Sequence, residues 1–394
     1  MSASPASRRA ISPEAGVSRV SQLDFPDSPL SKAFRQPLLL GLFVPLQAGG
    51  WSASTLERGT SWHFDYNKCV TLEAERQGFD LAFGLAQWLG KGGYHGLTQH
   101  HGISLDSFVA GNALAAVTSR IIIISSIHIL YGPWHPLHLA KFGSTIDHIA
   151  EGRWGINVVT GHREREHRRF GKAQIEHDLR YAMSDEFVEI LQRLWTQDEE
   201  ITLQGGHWEL EGAYVGVRPK YGRPIVVNAT GSAAGIDFAA RHSDIVFTTS
   251  PGGYEIARAV ETLPALTRQI KDRAQDYGRT IKTLINPTII CRETEAEAIA
   301  YRDAIADHAD VEAVANFGAE PSDAHAWRGH RRTDRAVGGN VQVVGSPEQV
   351  VDQLLQLKAA GVDGIQISFY DFEPELAFFG ERVIPLLKEA GLRA

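Results

Sequence analysis

The sequence predicts an α/β fold, a (β/α)₈ TIM barrel with insertions. Two observations carry this expectation. Eight short apolar runs recur along the chain, separated by helix-length stretches; continuous apolar strands of that kind suit a parallel sheet covered on its outside. The chain has 394 residues, long enough for one large core of the barrel type. A doubly wound sheet is the alternative. Its dinucleotide-binding form is weakened because the first strand runs into "LQAGGWSAST" and not into Gly-x-Gly-x-x-Gly.

The elements follow in order. "LLLGLFVP" (38–45) is an apolar strand stopped by Pro45. A helix over 65–78, ended by Gly78, precedes the strand "FDLAFG" (79–84). A helix near 104–118, the strand "RIIIISSIHI" (120–129), a helix near 135–150 and the strand "RWGINVVTG" (153–161) come next. The second half continues with a helix near 178–196, "RPIVVNAT" (223–230), a helix over 232–242, "DIVFTT" (244–249), and a helix near 253–277. "TLINPTIICRE" (283–293), a helix over about 294–308, the helix 346–361, the strand "VDGIQISFY" (362–370) and a last helix close the chain. Two segments break the repeat. Residues 200–219 read as a β-hairpin insertion, and 310–340 as a long loop rich in glycine and mixed in charge. A long loop inside a compact domain is usually functional. Arg328, Arg331 and Arg332 beside Gly338 and Gly339 make this segment a candidate lid. Residues 1–36 read as a flexible N-terminal arm and 37–394 as one barrel domain.

Composition excludes several classes. The net charge of -8 argues against a nucleic-acid binder. Cys69 and Cys291 form no Cys-x-x-Cys, so neither a disulfide framework nor a zinc ribbon is expected, and a reducing cytoplasm is the default. No run of about 18 apolar residues predicts a membrane span. The opening "MSASPASRRAISPEAGVSR" lacks the apolar stretch of a secretory signal. His135 and His138 have helical spacing but no evident third ligand, and no His-x-His ends strand one, so no metal is expected. Neither a Gly-x-Ser-x-Gly elbow nor a P-loop is present.

Barrel enzymes carry their sites where the strands end. In the fourth strand Trp154, Ile156 and Val158 share one face; Gly155, Asn157, Val159 and Gly161 share the other. Small residues around one amide suit the close approach of a flat ligand. A buried amide satisfied by neighbouring backbone is the plainer reading. Arg180 and Tyr181 stand in the first turn of an amphipathic helix, and Arg grips phosphate with paired hydrogen bonds. "NATGSAAG" places Ser232 at a helix start, with free backbone N–H groups for an anion. Taken together they sketch a pocket for a flat ring with a phosphate tail.

The stretches "TIDHIAEGRWGINVVTG", "EHDLRYAMSDEFVEIL" and "NATGSAAGIDFAARHSDIVFT" resemble the bacterial luciferase-like superfamily of flavin-dependent monooxygenases. The resemblance runs over roughly residues 38–392. It is nearest to the dimethylsulfone, alkanesulfonate and pyrimidine monooxygenase groups, and "GPWHP" (132–136) is similar to the sulfone group. It implies reduced FMN as co-substrate, delivered by a separate NAD(P)H-dependent flavin reductase, and O₂ activated as a flavin peroxide. It implies flavin contacts at Ala86, Gln87, Asn157, Glu166, Arg180, Tyr181 and Ser232, with Asn157 also near the oxygen site. It implies a homodimer or homotetramer acting on a small molecule, while composition is what leads us to expect the cytoplasm and no nucleic-acid or membrane partner.

Two departures shape the substrate. The alkanesulfonate group carries Arg-x-His on strand seven, where this chain has Asn286 and Thr288. A sulfonate loses its cation there, which favours a small neutral compound oxidised with C–S or C–N cleavage. On strand three, the threonine of the pyrimidine group is matched by Ser126 or His128, and His128 reads either as a donor at the oxygen site or as a satisfied core histidine. The alternatives are oxidation of a larger heterocycle (a pyrimidine or a flavin), a deazaflavin-dependent oxidoreductase, and a flavin-binding barrel without catalysis. Trp51, Trp62, Trp88 and Trp134 are bulky candidates near the substrate cavity that the sequence does not rank.

Overall fold

The computed structural model describes residues 20–132, 134–319, 336–339 and 341–394. Its strands are β1 (Leu39–Phe43), β2 (Leu81–Gly84), β3 (Ile122–His128), β4 (Trp154–Val159), β5 (Ile201–Gln204), β6 (Glu209–Ala213), β7 (Ile225–Ala229), β8 (Ile245–Thr248), β9 (Lys282–Ile285), β10 (Pro287–Cys291), β11 (Val341–Gly345) and β12 (Gly364–Ile367). Eight of them close into a parallel barrel in the order β1-β12-β9-β8-β7-β4-β3-β2. These are the eight apolar runs of the sequence. Closure removes every sheet edge, so strands apolar on both faces need no partner beyond the helices outside.

Side chains alternate between two cores. Leu40, Leu42, Ile123, Trp154, Ile156 and Val226 face outward into the layer shared with the helices. Leu39, Leu81, Phe83, Ile122, Ile124, Ile225, Val227, Ile245 and Leu284 fill the barrel interior. Small and large residues alternate there. A Cβ on Gly155 would lie 2.6 Å from Ile124 and 2.9 Å from Ile225, and one on Gly364 would lie 2.6 Å from Leu39. The glycines thus make room for the bulky residues of neighbouring strands.

Residues 200–219 form the expected hairpin, β5 pairing antiparallel with β6. Glu186 anchors its turn, accepting from the N–H groups of Gly206, His207 and Trp208. Three expectations change. The run 283–293 is two strands: β9 belongs to the barrel and β10 pairs with β11 outside it. The run changes sheets around Pro287, which has no N–H for a ladder: β9 pairs with β8 and β12 up to Ile285, and β10 keeps a single parallel bridge to the β12 side, Thr288 with Ser368. Residues 20–36, expected as part of a loose arm, are packed instead. The helix Pro29–Phe34 inserts Leu30 and Ala33 into the interior cluster, and Gln22 Nε2 donates to Gly152 O at 2.7 Å. The open N-terminal mouth of the barrel exposes apolar side chains, and this segment covers them. Residues 1–19 lie outside the described residues. So do Arg328, Arg331 and Arg332 of the expected lid; its first part, Val311–Ala319, is a helix.

Candidate active site

A cavity of about 290 Å³ opens at the C-terminal ends of the barrel strands. Every barrel strand contributes to it near or just beyond its C-terminal end: Phe43 from β1, Ala86 and Gln87 after β2, His128 from β3, Asn157 from β4, Asn228 from β7, Thr248 from β8, Asn286 after β9 and Ser368 after β12.

Asn157 is 1% exposed and lies on the same inward face of β4 as Gly155. Register places it beside Ser126. Its Nδ2 donates to Ser126 Oγ at 2.9 Å, so the amide is held by a side chain and not by backbone. Its Oδ1 has no hydrogen-bond partner although buried. Ser126 and His128, the two candidates for one position, therefore do different things. Ser126 holds Asn157, and His128 lines the cavity two residues later.

Glu166 does not line the cavity; it sits directly behind the wall, 1% exposed. It accepts from Tyr131 Oη at 2.6 Å, from Trp88 N at 3.3 Å and from Arg163 Nη1 at 3.4 Å, and faces His128 Nε2 at 3.5 Å. One carboxylate thus ties together the loops after β2, β3 and β4. Burial pulls its pKa upward, and His128, Arg163 and the Tyr131 hydroxyl more than offset this, holding it down to about 2. Burial pushes His128 down to about 4 against the pull of Glu166, so His128 is neutral near pH 7. A direct flavin contact from Glu166, as the resemblance implied, is not what this arrangement displays.

Arg180, Tyr181 and Ser232 come together on one side of the cavity with Thr230 and Gly231. Arg180 lies in the first turns of the helix His177–Thr196, is 1% exposed and donates from Nη1 to Ile175 O at 2.5 Å. Ser232 is the N-cap of the helix Ala233–His242, its Oγ accepting from Gly235 N at 3.2 Å. A Cβ on Gly235 would fall 1.8 Å from Thr230 Oγ1 and 2.5 Å from Tyr181 Oη. The glycine lets the hydroxyls close in on the helix start. A guanidinium, three hydroxyls and a helix N-terminus suit an anion such as phosphate.

Across the barrel, Phe43 stacks on Trp51 at 3.6 Å between ring centroids, and His100, His101, Phe317, Gly338 and Gly339 complete the wall. Trp51 is the one tryptophan of the four that lines the cavity: Trp62 stacks on His63, Trp134 packs on Phe108, and Trp88 is 38% exposed. His100 and His101 escaped the sequence reading. The only hint was a histidine pair in the glycine-rich stretch after strand two.

A flat polar ring fits this cavity. Gln87 Oε1 and Nε2, Asn157 Oδ1, Asn228 Oδ1, Asn286 Oδ1 and His128 Nδ1 are all buried without a partner, and all belong to residues on the wall. So many unmatched groups around one space are costly unless a polar ligand meets them. The isoalloxazine ring of FMN, with carbonyl and N–H groups along one edge, is such a ligand, and the Arg180–Ser232 side suits the phosphate at the end of the same cofactor's tail. His135, expected to be no metal ligand, caps the helix Pro136–Ile149, accepting from Leu137 N.

A family model for luciferase-like monooxygenases matches residues 40–364. The FMNH₂-dependent dimethylsulfone monooxygenase of Pseudomonas fluorescens (strain Pf0-1) is 33% identical over 371 residues, covering 91% of this chain and 97% of the relative. The pyrimidine monooxygenase RutA of Acinetobacter baylyi is 31% identical over 360 residues, covering 88% and 94%. Among solved structures, a riboflavin lyase (RcaE) with modified FMN and riboflavin aligns with a TM-score of 0.78 at 23% identity, covering 91% of this chain and 93% of that one. DmoA from Hyphomicrobium sulfonivorans aligns with a TM-score of 0.76 at 22% identity, covering 91% and 89%.

Proposed function

The chain belongs to the luciferase-like monooxygenase family and is a flavin-dependent monooxygenase, and we propose that it oxidises a small uncharged organic compound with cleavage of a C–S or C–N bond. The observation that carries this reading is the contrast between the two sides of the cavity. One side gathers Arg180, Tyr181 and Ser232; the other is aromatic and imidazole, with Asn286 where a sulfonate enzyme would place arginine. The sulfone relatives favour a compound of the dimethylsulfone type. The pyrimidine relatives support a second reading, attack on a heterocycle.

Reduced FMN supplies two electrons, so that one oxygen atom of O₂ enters the substrate and the other leaves as water. The protein binds, orients and shields. Arg180, Tyr181 and Ser232 hold the phosphate. Ala86, Gln87 and Asn157 seat the ring, and Asn157, steadied by Ser126, adds an oriented amide next to His128. Glu166 acts from behind, fixing the loop ends that carry Gln87, His128 and Arg163. Phe43, Trp51 and Phe317 keep water from the reacting atoms.

The reduced cofactor comes from a separate NAD(P)H-dependent flavin reductase, a reading supported by the FMNH₂ dependence of the sulfone relatives. Val109 (67% exposed), Val117, Phe142 and Ile149 lie on the adjacent helices Ser107–Val117 and Pro136–Ile149, and this apolar face supports a homodimer or homotetramer. Among the described residues no helix is long and apolar enough to cross a membrane. The two unpaired cysteines fit a cytoplasmic enzyme.

Purified protein mixed under air with FMN, NADH, a flavin reductase and candidate sulfones or pyrimidines should consume one of them in step with oxygen. A chain that binds no reduced FMN sinks the proposal, and FMN binding without any substrate loss reduces it to a binding barrel. Asn157→Ala should lower product formation by about 10–100-fold with FMN affinity held within a few-fold, because its amide acts in the reaction more than in binding. Equal losses in both would leave Asn157 as a seat for the ring alone.

A further inference from the structure

The loop between β2 and the helix Ser107–Val117 carries concentrated backbone strain. Among the described residues, four non-glycine positions have positive φ, and three are in this loop: His95 (60°), Gln99 (43°) and His101 (58°). Such conformations are costly for side chains with a Cβ and persist only where the surroundings enforce them. Here the enforcement is visible. Asp310 accepts from both N and Oγ1 of Thr98 at 2.7 Å, Asn316 Nδ2 donates to Tyr94 O at 2.9 Å, and His101 N donates to Ala48 O at 3.2 Å.

The strain has a geometric product. Successive side chains of an extended strand point to opposite sides. The left-handed turn at His101 instead brings the rings of His100 and His101 together, 3.8 Å between centroids, on one wall of the cavity against Trp51. Burial holds both rings neutral: His101 is pushed down to about 3, with Arg163 adding to the effect, and His100 falls well below its usual value. His101 Nε2 lies 3.1 Å from Gly50 O. A carbonyl only accepts, so Nε2 carries the proton and Nδ1 is left as the acceptor. That Nδ1 is buried without a partner, as is His100 Nδ1. The donor next to it is already used, since Trp51 Nε1 donates to Phe43 O at 2.8 Å. In the barrel order β1 and β7 are diametrically opposite. The wall near Trp51 therefore faces away from the phosphate side that follows β7, where the substrate must sit.

We propose that His100 and His101 are the substrate-reading residues of this site, and that His101 Nδ1 accepts a hydrogen bond from an N–H or O–H group on an uncharged substrate. This rests on the flavin-site reading and, within its small uncharged compounds, shifts the preference from the sulfone itself to one that carries a donor. A ligand with acceptors only, such as a sulfone, leaves the imidazole lone pair buried and unpaired. A ligand of the same size with an added donor satisfies it. An anion gains nothing from two neutral rings.

Matched ligand pairs test this. Dimethyl sulfone against methanesulfonamide replaces a methyl by an amino group at nearly constant size, and uracil against its doubly N-methylated form removes the donors. Binding of each to the FMN-loaded protein is followed by equilibrium dialysis. In the wild-type chain at least one donor-bearing member should bind about 10–100-fold more tightly than its partner. His101→Asn, which tolerates the left-handed backbone, should collapse that ratio toward one while FMN affinity stays within threefold and the melting temperature shows a folded barrel. Equal binding within both pairs, no binding of either donor-bearing ligand, or a ratio that survives in His101→Asn overturns the assignment. A wild-type chain that fails to bind FMN overturns the flavin-site reading instead. His100→Phe, at a position without the left-handed backbone, is the second variant and should weaken the donor-bearing ligands if the pair acts together.

Discussion

Arg180→Ala is expected to weaken FMN binding by about 100-fold or more and to reduce the preference for FMN over riboflavin by a similar factor. Among the described residues Arg180 is the buried arginine on the phosphate side of the cavity, 1% exposed and steadied by Ile175 O. Charge-assisted hydrogen bonds contribute roughly 1.5–3 kcal/mol each, and a guanidinium offers two in parallel to a phosphate. Losing both corresponds to about 3–6 kcal/mol, of which the helix start at Ser232 and the neighbouring hydroxyls retain a part. Riboflavin lacks the phosphate, so its affinity should change far less. Arg180→Lys keeps the charge without the fork and should fall between the two. Tyr181→Phe removes a hydroxyl 3.4 Å from Thr230 Oγ1 and should cost only a few-fold. Fluorescence titration of the protein with each flavin reads all of these. FMN affinity within threefold of wild type in Arg180→Ala would move the phosphate elsewhere.

Acid should destabilise the protein already between pH 7 and pH 5, above the range in which most carboxylates are protonated. His101 and His128 are neutral in the fold, with pKa values lowered from 6.5 to about 3 and about 4, chiefly by burial. The unfolded chain takes up protons on these groups as pH falls below about 6.5, and the folded chain does not until near 4 or below. Stability is therefore fully present at neutral pH and is lost on acidification, by about 2 kcal/mol per histidine near pH 5. His100 shifts in the same direction. Asp147 opposes the trend. Its pKa is raised to about 6 by burial, so its protonation returns on the order of 1–1.5 kcal/mol over the same interval. Glu166 adds nothing there, because its lowered pKa matters only below 4.5. Calorimetry at pH 7 and pH 5 should show a fall in Tm of several degrees, and an unchanged Tm would mean that water reaches these rings. A cavity built from neutral imidazoles is thus also the acid-labile part of the barrel.

Much of this was legible from local pattern. The eight strands lie where apolar runs predicted them, and the helices fall within a few residues of their expected bounds. Asn157, Arg180, Tyr181 and Ser232 stood out because a buried amide, an arginine in a first helical turn and a Gly-Ser helix start each break the local rule. The misreadings had long-range causes. Nothing near Leu30 in the chain reveals that it plugs the mouth of a barrel that closes with residues more than 300 positions away. The resemblance implied Glu166 as a flavin contact, and its place behind the wall depends on Tyr131, Trp88 and His128 arriving from the ends of other strands. Pro287 was visible, but the division of the run into β9 and β10 was not, because only the register with β8, β12 and β11 decides where one ladder gives way to the other.

By itself the sequence determined the barrel, the hairpin insertion, the family and the side of the site suited to phosphate, since each follows from periodicity or from residues close in the chain. Only the tertiary structure decided what Asn157 holds, where Glu166 sits and that His100 and His101 line the cavity. Those depend on barrel closure, which brings Ser126 beside Asn157 across a strand pair and sets a strained histidine pair opposite the phosphate side. The physical reason is that side chains from separate strands converge at one end of a closed sheet, and the partners they find there are absent from any local stretch of chain.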